Sequence, residues 1–243
     1  MKGKSVVIVG GAGGLGLATA EMMAARGARI ALVDRDAAAL ARAVERVKAS
    51  DPAALGIEGD VTTRDGAEAL FGQAAEALGR VDSMVNCAGI YPRKPILEIT
   101  DEDWNASFAV NVRGTHNMMV AAVKHMRPRR DGRIVNISSV DAFKAHPQNA
   151  HYAATKAAVV SLTKSFALAF AADQLLINSV APAGIATEKA KAAGFMPELV
   201  AANPLGRAAE PDDIAEMIVF LASSANRYVT GENVVVSGGY IMV

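Results

Sequence analysis

A short β-branched run over residues 5–9 opens directly into seven residues of which five are glycine: Gly10, Gly11, Gly13, Gly14 and Gly16. A helical pattern over 17–26 comes next. A strand, a glycine turn and a helix in that order form a cradle for a pyrophosphate. The glycines let the backbone turn sharply and approach the ligand closely, and the helix start offers free N–H groups and a positive dipole end. Such a loop alone is a weak signal, but the second strand, 29–33, ends in Asp34. An acid there accepts hydrogen bonds from an adenosine ribose and repels a 2′-phosphate, which favours NAD over NADP. Arg35 softens that preference by offering a cation. The competing reading makes Asp34 the N-cap of the helix 36–49, a role Asp36 fills as well or better.

The same alternation continues to the end of the chain. Short apolar strands are expected at 55–59, 81–85, 133–137, 175–180 and 233–236. Helices are expected at 64–78, 101–126, 150–172 and 211–223, the second starting at Asp101 and the last at Pro211. Strands alternating with helices over 243 residues predict one α/β domain: a Rossmann-like, doubly wound parallel sheet of about seven strands, covered on both faces. No linker or repeat divides it. Ligands of such sheets bind beyond the C-terminal strand ends, so the glycine loop, Asp34, Asp60, Asn86 and Ser139 should converge on one edge.

A second constellation sits at the start of the helix 150–172. Tyr152 and Lys156 are four residues apart and share a helix face. A fixed cation beside a phenol lowers its pKa, and a phenol tuned in this way trades protons with an alcohol or ketone oxygen. The strand 133–137 delivers the hydroxyls of Ser138 and Ser139 a short loop away. A Tyr and a Lys at this spacing are also common on ordinary helices, so the assignment depends on the rest of the chain.

Lys and Arg number 25 and Asp and Glu 25, which argues against a nucleic-acid partner. The one basic cluster, Arg127, Arg129 and Arg130, reads as a solvated helix end. Cys87 is the only cysteine, which fits a cytoplasmic protein without disulfides. Residues 1–4 carry no cleavage pattern, and no uninterrupted apolar run of membrane-spanning length is read, so neither a leader nor a membrane partner is expected. No metal site is assigned.

Assembled in order, Gly10-x-x-x-Gly14-x-Gly16, Asp60-Val61, Asn86-x-Ala88-Gly89, Asn111, Ser139, Tyr152-x-x-x-Lys156, Asn178 and Pro182 leading to Thr187 resemble the motifs of the short-chain dehydrogenase/reductase family over nearly the whole chain. The resemblance implies that Tyr152 is the general acid/base and that Lys156 lowers its pKa and binds the nicotinamide ribose. It implies that Ser139 orients the substrate and that Asn111 bends its helix and holds a relay water. Gly10, Gly13, Gly14, Leu15 and Gly16 form the cofactor loop. Asp60 and Val61 contact the adenine, supported by Asn86, Ala88 and Gly89, while Pro182, Ile185 and Thr187 hold the nicotinamide side. The chain departs from the family's usual pattern at Val9, Cys87, Ala183 and Ser237. Gly13 stands where NADP-preferring relatives often carry Lys or Arg, which again favours NAD.

The expected reaction is reversible hydride transfer between a nicotinamide cofactor and a small secondary alcohol or ketone. Asp141, Phe143, Gln148 and Ala183 are expected to line the substrate pocket with Ser139 and Tyr152, under a mobile lid at 183–203. The wall segment also includes 91–94. His146 and His151 read as surface or substrate contacts. Arg93, Lys94 and Lys144 read as solvated surface, with a carboxylate contact as the alternative. An NADPH-dependent 3-oxoacyl carrier-protein reductase is the competing activity. For that reading Arg130 matches one docking position and Asp173 opposes a second. A non-catalytic NAD sensor would be expected to lose Tyr152 or Lys156. The family resemblance and the apolar long helices predict a homotetramer or dimer.

Overall fold

The computed structural model describes residues 1–144 and 147–243, with the side chain of Ala202 outside the description. Seven strands make one parallel sheet: β1 (Ser5–Val9), β2 (Arg29–Asp34), β3 (Leu55–Glu58), β4 (Ser83–Asn86), β5 (Gly132–Ile137), β6 (Leu175–Pro182) and β7 (Asn233–Val236). Their order is β3-β2-β1-β4-β5-β6-β7. Winding runs outward from β1 to β3, then returns to place β4 against β1 and runs the other way. The reversal opens a crevice at the C-terminal ends of β1 and β4, the place where a doubly wound sheet binds ligands.

The helices are α1 (Gly14–Ala25), α2 (Ala37–Val47), α3 (Arg64–Leu78), α4 (Asp101–Phe108), α5 (Thr115–Met126), α6 (Ala150–Phe170), α7 (Glu188–Ala192), α8 (Met196–Ala202) and α9 (Pro211–Ala222). Every residue of β1 is buried, and alternate side chains enter opposite cores. Val6 and Ile8 pack with Leu17, Met23, Leu40 and Ile218, from α1, α2 and α9. Val7 and Val9 pack with Phe71, Met118 and Met119, from α3 and α5. Each side chain of this size contributes about 1.5–3 kcal/mol on burial, so a strand buried on both faces is anchored strongly enough to fix the loop after it.

The helix starts match their caps. Asp36 accepts from the Ala39 N–H at 2.9 Å and caps α2, so Asp34 does not hold that role. Thr100 and Asp103 form a reciprocal capping box on α4. The expected single helix over 101–126 is instead α4 and α5 joined by a π-helical turn, Ala109–Gly114. The cause is local. The Asn111 carboxamide accepts from the Ile90 N–H at 2.8 Å and donates to the Ile90 carbonyl at 3.0 Å, pinning this turn to the segment after β4. Elsewhere β6 runs on to Pro182 and α1 begins inside the glycine run, at Gly14.

Among the described residues one helical run, Ala150–Asp173, is long and apolar enough by length and composition to cross a membrane. It contains Lys156 and packs against β6 and the turn Val140–Ala142.

Candidate active site

The loop after β1 is held by the end of β2. The N–H groups of Gly10 and Gly11 both donate to the Val33 carbonyl, at 2.8 and 3.2 Å. Gly10 has φ +72°, and a Cβ there would lie 2.6 Å from the Ala88 nitrogen; a Cβ on Gly16 would collide with the Gly10 carbonyl. These two glycines are therefore required by geometry. Gly13 has extended backbone and open space around it, so a ligand can approach there. Asp34 also has a structural task. Its carboxylate accepts from the Ala12 N–H at 3.0 Å, and from Arg35 and Asp36 at 2.8 and 3.2 Å. It is half-buried beside the glycine loop, and the Arg35 side chain is exposed.

The residues expected on the adenine side are spread along the same strand ends. Asp60 is exposed and accepts from the Thr62 N–H at 2.9 Å. Val61 is buried, and its carbonyl accepts from Asn117 at 3.0 Å. Asn86 donates to Thr115 at 2.9 Å, while its buried Oδ1 has no partner. Ala88 abuts Gly10. A cradle that a Cβ would fill, together with an orphaned amide oxygen beside it, fits a dinucleotide.

A cavity of about 580 Å³ lies along the crevice. Of the expected residues, Gly10, Gly13, Leu15, Gly16, Gly89, Ser139, Asp141, Tyr152, Lys156, Pro182, Ala183, Ile185 and Thr187 line it. Gly14, Asp34, Arg35, Asp60, Val61, Asn86, Ala88, Asn111, Phe143 and Gln148 do not. Phe143 and Gln148 are exposed, with the Gln148 carbonyl accepting from the Lys94 N–H at 2.7 Å. His151 is fully buried away from the cavity, not at the surface, and neither ring nitrogen has a partner. His146 lies outside the described residues.

Around Tyr152 the two serines separate cleanly. The single Ser138 hydroxyl proton is shared between the Asn233 side-chain oxygen at 2.5 Å and the Val180 carbonyl at 3.0 Å. Ser139 hydrogen-bonds Tyr152 and accepts from the Asp141 N–H at 3.1 Å. The Lys156 ammonium donates to the Ile137 carbonyl at 2.8 Å and sits 5.6 Å from the Tyr152 ring centre. Burial is the largest influence on both groups. Burial pushes the Tyr152 pKa well above its ordinary value; Ser139 pulls it down, and Asp141 and Tyr91 push it up. Burial also lowers Lys156 to about 8, with the neighbouring Cys87 opposing. The Cys87 thiol, on the cavity wall, is pushed up to about 12 by burial.

Of the segment 91–94, expected in the pocket wall, Tyr91 and Arg93 line the cavity and Lys94 does not. Tyr91 stands edge-on to Tyr152, ring centres 4.5 Å apart. Arg93 is not solvated surface: it donates to the Tyr91 hydroxyl at 3.1 Å and pairs with Glu198 of α8. Lys94 pairs with Asp103 at 2.5 Å. Tyr240 lines the cavity with Lys144 over its ring at 3.8 Å. Glu198 falls within the segment 183–203 expected to cover the site, whereas nothing in the sequence marked Tyr240 as a cavity residue.

A family model described as Enoyl-(Acyl carrier protein) reductase matches residues 10–241. The chain is 34% identical to the 3-oxoacyl-(acyl-carrier-protein) reductase of Thermotoga maritima, over 100% of this chain and 99% of that protein. The chain belongs to the short-chain dehydrogenase/reductase family. Within that family it is also 35% identical to the L-rhamnose 1-dehydrogenase (NAD(P)(+)) of Azotobacter vinelandii, over 97% of this chain and 96% of that one. The solved structure of ElxO with NADP bound superposes with a TM-score of 0.92 at 31% identity, covering 99% of each chain. The protein is thus an oxidoreductase of a family that binds nicotinamide cofactors, and its relatives act on chemically dissimilar substrates.

Proposed function

We propose that this protein transfers a hydride reversibly between NAD and a secondary alcohol or ketone, with Tyr152 as the general acid/base. The observation that carries the reading is the convergence of Tyr152, Ser139 and Lys156 with the glycine loop and the Pro182–Thr187 segment on one cavity. The cofactor, when bound, accepts or supplies the hydride. The chain's own residues supply position and the proton path. Ser139 orients the substrate oxygen against the phenol. Tyr152, protonated at neutral pH, donates to a ketone oxygen during reduction and takes the hydroxyl proton during oxidation. Lys156, tied to Ile137, fixes the ribose side of the site, and Asn111 holds the π-helical turn that backs Gly89. Residues 183–203 serve as a lid over the site.

Asp34 favours NAD, because a carboxylate already committed to Ala12 cannot turn away from a 2′-phosphate. The experiment is Tyr152→Phe, assayed for NAD⁺ reduction with a panel of secondary alcohols, alongside NADH binding. Turnover should fall about 100- to 10,000-fold with NADH affinity within a few-fold of the parent. Near-normal turnover in the variant would remove Tyr152 from the mechanism.

The likeness to a carrier-protein reductase favours a second reading, an NADPH enzyme for 3-oxoacyl thioesters on an acidic carrier. Against it, Arg127 is paired with Asp173 at 2.9 Å and Arg130 donates to the Ala172 carbonyl at 2.8 Å, which leaves that basic corner largely occupied. Turnover with NADPH alone on such thioesters would reverse the preference. Retention of Ser139, Tyr152 and Lys156 weighs against a pure NAD sensor. We further infer a cytoplasmic enzyme, from its single cysteine, that self-associates through its long helices.

A further inference from the structure

Arg93 is placed at the substrate end of the cavity without a part in the proton path. Its Nε donates to the Tyr91 hydroxyl at 3.1 Å, and Tyr91 packs edge-on against Tyr152. Its guanidinium lies over the Phe195 ring at 4.2 Å and near the Tyr91 ring at 5.5 Å. Two aromatic faces and a hydroxyl therefore fix the fork in place. Both remaining nitrogens, Nη1 and Nη2, hold the two oxygens of one carboxylate, that of Glu198, at 3.2 and 3.3 Å. Those distances are long for a charge-assisted pair, which favours about 2.7–2.9 Å. The Glu198 side chain is 55% exposed, against 21% for Arg93. An exposed partner on a short helix contributes little to holding such a pair together, whereas the arginine is the planar, pre-organised member.

The other cavity-lining cations are placed elsewhere. Lys156 is committed to Ile137. Lys189 lies just beyond Thr187 in α7, on the side of Gly14. Arg93 is the cation that reaches Tyr152 through a single ring.

We propose that the substrate carries a carboxylate, which Arg93 receives in the two-oxygen geometry now occupied by Glu198. This rests on the hydride-transfer reading for which atom reacts, but not for the binding itself. Glu198 is an internal stand-in: it keeps the arginine paired until a substrate carboxylate exchanges with it, and the exposed Glu198 side chain swings away from a fork still held by Tyr91 and Phe195. Arg93 thereby determines specificity, selecting hydroxy- or oxo-acids over neutral alcohols of the same shape.

The test uses two non-reacting probes, cyclohexanecarboxylate and cyclohexanecarboxamide, titrated calorimetrically into the intact protein with and without NADH. The carboxylate should bind at least about tenfold tighter than the amide, as expected when one charged fork replaces a neutral contact. Arg93→Met should bring the two probes to parity. Glu198→Gln, a change at an exposed position, should tighten the carboxylate several-fold and leave the amide unchanged. Equal affinities in the parent, or a gap that survives Arg93→Met, would overturn the proposal and leave the pair as a latch on α8. If Arg93→Met does not fold, Glu198→Gln decides alone: unchanged or weaker carboxylate binding is the overturning result. Failure of the hydride-transfer reading shows separately, as absence of turnover with every alcohol while the affinity gap stands or falls independently.

Discussion

Ser139 and Asp141 act on one phenol in opposite senses, which makes the pH dependence of oxidation a direct probe of the site. Burial holds the Tyr152 proton on, so alcohol oxidation should accelerate as pH rises and the phenolate becomes accessible. Ser139→Ala removes a hydrogen bond that lowers the phenol's pKa, so the rise should move to higher pH. Asp141→Asn removes a negative charge that raises it, so the rise should move to lower pH. Shifts in one common direction, seen in kcat/KM profiles, would refute the assignment. Lys156 gives a stability counterpart. Its folded pKa, about 8, lies below the ordinary 10.5. Between these values the unfolded chain binds more protons, so stability rises with pH there. Lys156→Met should lose that rise, on the order of 3 kcal/mol in full, measured by denaturant unfolding from pH 7.5 to 10.5. The sequence showed that Tyr152 and Lys156 share a face but not that Lys156 is buried while Tyr152 stands half-buried at the cavity. Spacing along a helix carries no information about the segments that pack around it, and burial is the largest influence on both groups.

At the scale of elements, the glycine loop was legible in composition, whereas the π-helical turn was not legible in periodicity, although the family resemblance implied a helix bent at Asn111. Strand β1 announces itself by β-branched residues, and only glycine tolerates the sharp turn at its end, so composition alone locates the loop. It does not rank the glycines. Gly10 combines φ +72° with backbone only 2.6 Å from a would-be Cβ, whereas Gly13 has neither constraint. Gly10→Ala should therefore lower the unfolding midpoint and abolish NADH binding, while Gly13→Ala should leave stability within about 0.5 kcal/mol of the parent. Equal damage from both, in thermal unfolding and NADH fluorescence titrations, would contradict the geometry. The turn at Ala109–Gly114 arises from contacts distant in sequence: Asn111 to Ile90 and Thr155, and Gly114 against Val61. Nothing in the helical periodicity of 101–126 records those partners. The short helices α7 and α8 were hidden for a related reason. Each is shorter than two full turns and has no apolar face long enough to show a period, although Thr187 caps the first.

At the scale of the molecule, the least satisfied element is α6. Its buried face carries Thr155, Val159, Thr163 and Ala167 against the sheet, while Ala157, Ser161, Ser165 and Leu168 succeed one another at helical spacing on its exposed side. Leu168 is 84% exposed. Beside this helix a groove runs between α5 and α6, lined by Val120, Val123, Pro128, Phe166 and Phe170 together with Lys124 and Arg127. A helix apolar on more than one face needs cover on both sides, and contiguous exposed apolar surface marks contact sites. Small residues at 157, 161 and 165 would let a second helix approach closely. The cover we infer is a second copy of the chain, α6 against α6, and this has a consequence for the site, because the same helix carries Tyr152 and Lys156 at its other end. Clamping α6 along its length would steady both side chains against β5 and β6. Sedimentation velocity at micromolar concentration should thus show a dimer or tetramer. Leu168→Glu, which disturbs nothing buried within one protomer, should yield smaller species that retain secondary structure but lose turnover. A parent protein that sediments as a monomer overturns this assembly, and a Leu168→Glu variant that dissociates with full turnover would separate assembly from catalysis.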